Sequence, residues 1–113
     1  MNRTSDIELI VSSNEISLNE IDEFLIGVKI TSKSREIISF DISPIELFVN
    51  GIKSIAWDLT VQNGTLINLK IKSNGIETIN WPLGRAIFEG LGIYELKLVW
   101  KSNILKQYVT VSE

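Results

Sequence analysis

The feature that most limits what this chain can become is a two-residue alternation of apolar and polar side chains, cut three times by Asn-Gly. In "EFLIGVKITS" the alternation places Phe24, Ile26, Val28 and Ile30 on one side of an extended chain and Lys29 and Thr31 on the other, since successive side chains of a strand point to opposite faces. Asn50-Gly51 lies between two such runs. A type I′ turn needs positive φ at both central residues, which Asn and Gly accept most readily, so the pair predicts a hairpin. Its arms are residues 45–49 and 52–61, with Ile55, Trp57, Leu59 and Val61 sharing one face of the second arm. Asn63-Gly64 introduces a further strand carrying Ile67, Leu69 and Ile71, and Asn74-Gly75 introduces "IETINW".

The remaining chain reads the same way. Residues 7–11 form a first strand, and "NEISL" a short edge piece after the turn at 12–14. Residues 33–36 are a polar turn, followed by "IISFDIS" with Ile38, Phe40 and Ile42 on one face. Pro44 ends that strand, having no amide hydrogen to give a ladder. Only 17–25 and 82–90 suggest helix, each for a few residues. In "EGLGIYELKLVW", Gly90 and Gly92 permit a sharp corner, after which Tyr94, Leu96, Leu98 and Trp100 form a row opposite Glu95 and Lys97. A tyrosine just after such a corner suits the tyrosine corner of immunoglobulin-like sandwiches, in which its hydroxyl bonds back to the preceding backbone. Leu105, Val109 and Val111 share a face of the last strand. The expected fold is all-β, an immunoglobulin-like antiparallel β-sandwich of about seven to nine strands, forming a single domain over residues 1–113.

Composition narrows the chemistry. The chain has no cysteine and no histidine, so disulfides, thiolate sites and the commonest general base and transition-metal ligand are all missing. Its four aspartates lie at strand ends or on polar faces. The densest acidic patch, "NEIDE", lacks the alternating ligands and glycine of a calcium loop, and "GLG" is not followed by the lysine and helix of a phosphate cradle. No catalytic residue, metal site or cofactor is therefore expected. A net charge of -3 with both signs interspersed offers no basic stripe for nucleic acid. No apolar run is long enough for a membrane helix, and the N-terminus reads as a strand rather than an export signal. These features point to the cytoplasm, or to an extracellular or periplasmic setting if a signal has been removed.

The order of features over roughly residues 22–100 resembles the bacterial intracellular proteinase inhibitor family. The corresponding stretches are "FLIGVKITSKSREIISFDIS", "IELFVNGIKSIAWDL", "KSNGIETINW" and "GIYELKL". The resemblance implies an immunoglobulin-like sandwich and a subtilisin-type serine peptidase as partner.

The residues themselves point to a non-enzymatic domain that contacts a protein partner through loops at one end of the sandwich, because a rigid scaffold that displays loops usually carries its function there. The best loops are the connection "WPLGRAIFEGLG" and the turn at Asn50 and Gly51. Trp81 stands at the rim, with Arg85 as polar and Phe88 as apolar anchor; Ile87 and Phe88 could equally plug the open end of the core. A second reading, a carbohydrate-binding module, follows from the three tryptophans, Trp57, Trp81 and Trp100, if two of them lie coplanar and exposed. A structural or assembly role is the third.

Overall fold

The computed structural model describes residues 5–63 and 68–113. Strand β1 (Ser5–Val11) is followed by β2 (Glu15–Ser17), a 3-10 helix (Leu18–Glu23) and β3 (Ile26–Ser32). Then come β4 (Ile38–Asp41), β5 (Glu46–Val49), β6 (Ile52–Lys53) and the helix α1 (Ile55–Asn63). The chain continues through β7 (Asn68–Ile71), β8 (Ile76–Trp81), the short α2 (Gly84–Ile87), β9 (Gly92–Trp100) and β10 (Asn103–Ser112).

Sheets of order β1-β3-β8 and β2-β10-β9-β5-β6 face each other, with β4 and β7 forming a separate two-stranded ribbon. Ile26, Val28 and Ile30 of the first sheet and Leu47, Leu96, Leu98, Val109 and Val111 of the second meet in one core. Every strand pair is antiparallel except β2–β10, which is parallel. The described residues hold ten strands rather than seven to nine, the excess coming from short pieces: β2 has three residues and β6 only two.

Central strand β3 pairs with β1 through Ile7↔Ile30 and Leu9↔Val28 and with β8 through Val28↔Ile79. Its inward residues are fully buried, as the alternation predicts. The Asn50-Gly51 turn is also as expected, with φ of 51° and 83°. Of the other two Asn-Gly pairs, Asn74 has φ 53° before β8, whereas Gly64 and Ile67 lie outside the described residues. The segments predicted to hold a little helix do so, six residues in the 3-10 helix and four in α2.

The second hairpin arm departs from the alternation. Strand β6 stops at Lys53 and α1 begins at Ile55. Ser54 caps it: its Oγ accepts the Trp57 N–H at 3.2 Å, satisfying an amide that a helix start leaves open, and its carbonyl accepts the Asp58 N–H at 3.2 Å as the first bond of the helix. Trp57 and Val61, four residues apart, are 0% and 1% exposed, while Ile55 and Leu59 are 71% and 55% exposed. The expected row of four thus splits into an inner and an outer face, because 57 and 61 fit helical as well as strand periodicity. Trp57 donates from Nε1 to the Ile45 carbonyl at 2.9 Å and packs edge-on against Trp81 with centroids 5.4 Å apart.

The corner before β9 forms as the sequence indicates. Tyr94 Oη accepts the N–H groups of Glu89 and Gly90 at 3.1 and 3.0 Å and donates to the Gly90 carbonyl at 2.8 Å. Gly92, at φ 144°, makes the bend that delivers Tyr94 inward. Beneath the corner Phe24, Phe88 and Tyr94 stack edge to face, with centroid spacings of 4.9 and 4.8 Å.

Two stability measurements check this architecture. Val61→Ala lowers the unfolding free energy by about 2 kcal/mol through lost burial and a cavity, whereas Leu59→Ala stays within about 0.5 kcal/mol; equal costs at the two positions would contradict the helix. Tyr94→Phe leaves two backbone N–H groups and a carbonyl without their partner and costs about 2 kcal/mol. Tyr108→Phe, at an exposed residue with one 3.2 Å bond to Glu95, is the near-neutral control.

Candidate protein-binding cleft

The two loops singled out by the sequence converge on one cleft of about 320 Å³. Its walls come from the β5–β6 hairpin (Val49, Asn50, Ile52, Lys53), the start of α1 (Ser54, Ile55, Ala56), and α2 with the connection after it (Ala86, Ile87, Glu89), with Tyr94 also lining it. The floor is held by the tyrosine corner and by burial of Ile87, which is 5% exposed. The rim carries two isoleucines in the open, Ile52 at 74% and Ile55 at 71%.

Each wall is fixed for a local reason. Asn50 donates its N–H to the Glu95 carbonyl at 2.9 Å, and its Oδ1 accepts the Glu95 N–H at 2.8 Å. The side-chain oxygen thus extends the β5–β9 ladder one step beyond the last paired residues and pins the hairpin tip to β9. Gly51, at φ 83°, supplies the second positive dihedral of the turn. Lys53 bridges Glu46 at 3.1 Å and Asp58 at 3.2 Å, tying β6 to β5 and to the first turn of α1. Hydrogen bonding to Glu46, then to Asp58, raises the Lys53 pKa.

On the other wall, α2 is seated on the 3-10 helix. A Cβ on Gly84 would collide with the Ile21 carbonyl and come within 2.9 Å of Phe24 Cβ, so this approach requires glycine. Arg85 then reaches the same helix as a fork, Nε to Asp22 Oδ1 and Nη2 to Asp22 Oδ2, both at 2.6 Å. The guanidinium hydrogen bonds hold the Asp22 carboxyl below its ordinary value.

Of the five residues picked from sequence, Asn50 lines the cleft and Gly51 shapes the turn beside it. Arg85 is spent on Asp22, outside the cleft lining. Phe88 is 3% exposed between Phe24 and Tyr94, so its ring plugs the core and offers a partner no surface. Trp81 is half-buried against Trp57. Trp57 itself is sealed in the core and cannot join a sugar-stacking platform; Trp100 is half-buried and packs on Phe40 at 5.0 Å. Sequence reasoning missed Ile52, Ile55, Ala86 and Glu89. The Ser54 cap was the signal that could have found Ile55, since a helix starting there turns that side chain away from Trp57.

Among the described residues no group of three or more acidic, histidine or cysteine side chains is placed to hold a metal ion. No helix among them is long and apolar enough to cross a membrane.

The Asp22–Arg85 fork has a readable titration. A carboxylate stabilised by a partner adds its full contribution above the ordinary carboxylate range and loses it as pH falls through the lowered midpoint. Followed by NMR, Asp22 titrates below an ordinary aspartate, and Arg85→Ala returns it to the ordinary value; an unchanged midpoint would show that the fork does not persist in solution.

No protein-family model matches the chain, and no curated protein matches it by sequence. Solved structures do match by shape. A β-glucosidase from Erythrobacter marinus aligns over 95% of this chain at 8% identity and TM-score 0.58, and a β-glucosidase from Listeria innocua in complex with gluconolactone over 96% at 14% and 0.56. The chain spans only 15% and 16% of those enzymes' lengths. A CARDB domain from Pyrococcus furiosus, solved in complex with di-metal ions, aligns over 96% of this chain and 92% of its own length, at 10% identity and TM-score 0.51. The CARDB domain is immunoglobulin-like, and at these identities the likeness is one of fold: this chain is a β-sandwich of immunoglobulin-like type.

Proposed function

We propose that this chain is a non-enzymatic binding domain that grips a protein partner at the cleft between the Asn50-Gly51 hairpin and the α2 connection. The observation that carries this reading is the placement of Ile52 and Ile55, 74% and 71% exposed, on the rim of a 320 Å³ cleft whose walls are held by hydrogen bonds and ion pairs. A rigid concave surface with apolar side chains at its lip suits the capture of an apolar anchor from another protein, because little conformational freedom is lost on binding. Polar groups are close by: Lys53 on the hairpin side and Glu89 on the connection side can orient an incoming backbone.

A subtilisin-type serine peptidase is the first partner to assay, since the order of strands, tryptophans and the Gly-x-Tyr corner resembles that of the intracellular proteinase inhibitors. In such a complex the hairpin tip, made stiff by its bonds to Glu95, would be the element offered to the protease groove.

The test is a paired capture experiment. Partners retained by the wild-type domain are compared with those retained by Ile52→Asp and Ile55→Asp, whose side chains are too exposed for the change to disturb the fold. Each substitution weakens a cleft-bound partner about tenfold or more, as loss of an interface anchor does. Partners held equally by all three forms bind elsewhere and sink the assignment. Inhibition of a subtilisin-type protease at micromolar domain would specify the partner, and its absence would remove the peptidase while leaving the cleft to be judged by the capture result.

A further inference from the structure

The charges around the cleft do not balance. On the hairpin wall the cation is Lys53, whose ammonium lies 3.1 Å from Glu46 and 3.2 Å from Asp58, so one positive charge is shared by two carboxylates. On the opposite wall stands Glu89, exposed and lining the cleft. Among the described residues no ion pair includes its carboxylate. Arg85, the cation that precedes it in the chain, gives both arms of its fork to Asp22. Beyond the hairpin tip, Glu95 already has Lys106 at 3.9 Å. The cleft is thus bordered by the carboxylates of Glu46, Asp58 and Glu89 against the ammonium of Lys53.

Glu89 is also held in place. Its N–H donates to Tyr94 Oη at 3.1 Å, as the Gly90 N–H does at 3.0 Å, and the neighbouring Phe88 is buried between Phe24 and Tyr94. The carboxylate therefore projects from a backbone anchored on the tyrosine corner. The other wall carries the apolar lip of Ile52 and Ile55. One cleft so combines an apolar lip with a negative charge that nothing within the described residues neutralises.

We propose that the cleft selects a partner segment in which an apolar anchor is flanked by lysine or arginine, the anchor packing on Ile52 and Ile55 and the cation meeting Glu89. This rests on the cleft being the protein-binding surface, and it specifies which segments that surface takes. An anchor that fills the cleft displaces water beside Glu89. A partner that leaves the carboxylate unpaired there costs it part of its hydration, whereas a basic side chain replaces the lost water with a charged hydrogen bond. An acidic segment is repelled from both walls, because the Lys53 ammonium is already engaged twice. Exposed charges govern preference and association rate more than affinity, so the discrimination is severalfold rather than all-or-none.

Three capped pentapeptides supply the probe: Lys-Ser-Leu-Ser-Lys, and its counterparts with glutamine or with glutamate in place of both lysines. Titrated into the isotope-labelled full chain and followed by NMR, the lysine peptide moves the amides of Ile52, Ile55 and Ala86 at the lowest concentration, the glutamine peptide next and the glutamate peptide last. Glu89→Gln weakens binding of the lysine peptide about two- to fivefold and changes the glutamine peptide little. Glu89→Lys makes the glutamate peptide the tighter binder. Both substitutions fall on an exposed side chain, so melting is unchanged, and added salt narrows the spread among the peptides. Equal affinities for the three peptides at the cleft, or an order that Glu89→Lys fails to reverse, overturn the selection for basic segments while leaving the cleft as a binding surface. Shifts confined to another face, or none with any peptide, overturn this inference and the cleft reading together.

Discussion

The structure depends on the closure of two apolar rows, Ile26, Val28 and Ile30 on β3 and Tyr94, Leu96 and Leu98 on β9, within one core. Each row is a single face of a strand central to its sheet. A slip of one residue in either would turn the whole row to water, and each fully buried aliphatic or aromatic side chain is worth about 1.5–3 kcal/mol relative to exposure. That cost fixes the register at once for both sheets, and every other element is placed relative to it. The 3-10 helix and α2 close one end through Phe24 and Phe88, and Tyr94 joins that closure to the β9 row through its ring contact with Phe88.

Much of this was legible in the sequence, for a physical reason. Period-two alternation is a direct image of which face meets the other sheet, so β3, β9 and β10 could be placed with their buried faces. Positive φ is so costly for most residues that Asn50-Gly51 signalled its turn unaided. The corner at Tyr94 was legible because Gly90 and Gly92 mark a bend just before a tyrosine that opens an apolar row. Helix α1 was not legible from alternation, since Trp57 and Val61, four residues apart, fit strand and helix periods alike and Ile55 and Leu59 complete the strand pattern. What decides between them is tertiary: the Trp57 indole finds the Ile45 carbonyl and the Trp81 ring from a helix capped by Ser54.

The candidate site was half legible. Turn chemistry and loop length pointed to two loops that the structure brings to one cleft. The choice of side chains within the α2 connection failed because loop position does not reveal direction. Phe88 faces inward as the middle ring of an aromatic stack, and Arg85 is drawn sideways to Asp22, 63 residues earlier in the chain. Both act as fasteners that hold the connection still.

The exposed rim of the cleft follows from the same helix that hides Trp57. Successive residues of a helix are about 100° apart, so a side chain two positions away lies on nearly the opposite side. With Trp57 turned to the core, Ile55 and Leu59 must face outward, and their 71% and 55% exposure is the other half of a single rotational choice. The phase of α1 dictates that these positions are exposed but not that they are apolar; Asp58 and Gln62 show that the helix accepts polar residues. Folding gains little from an isoleucine left at position 55, so the core leaves that position free to be polar or apolar.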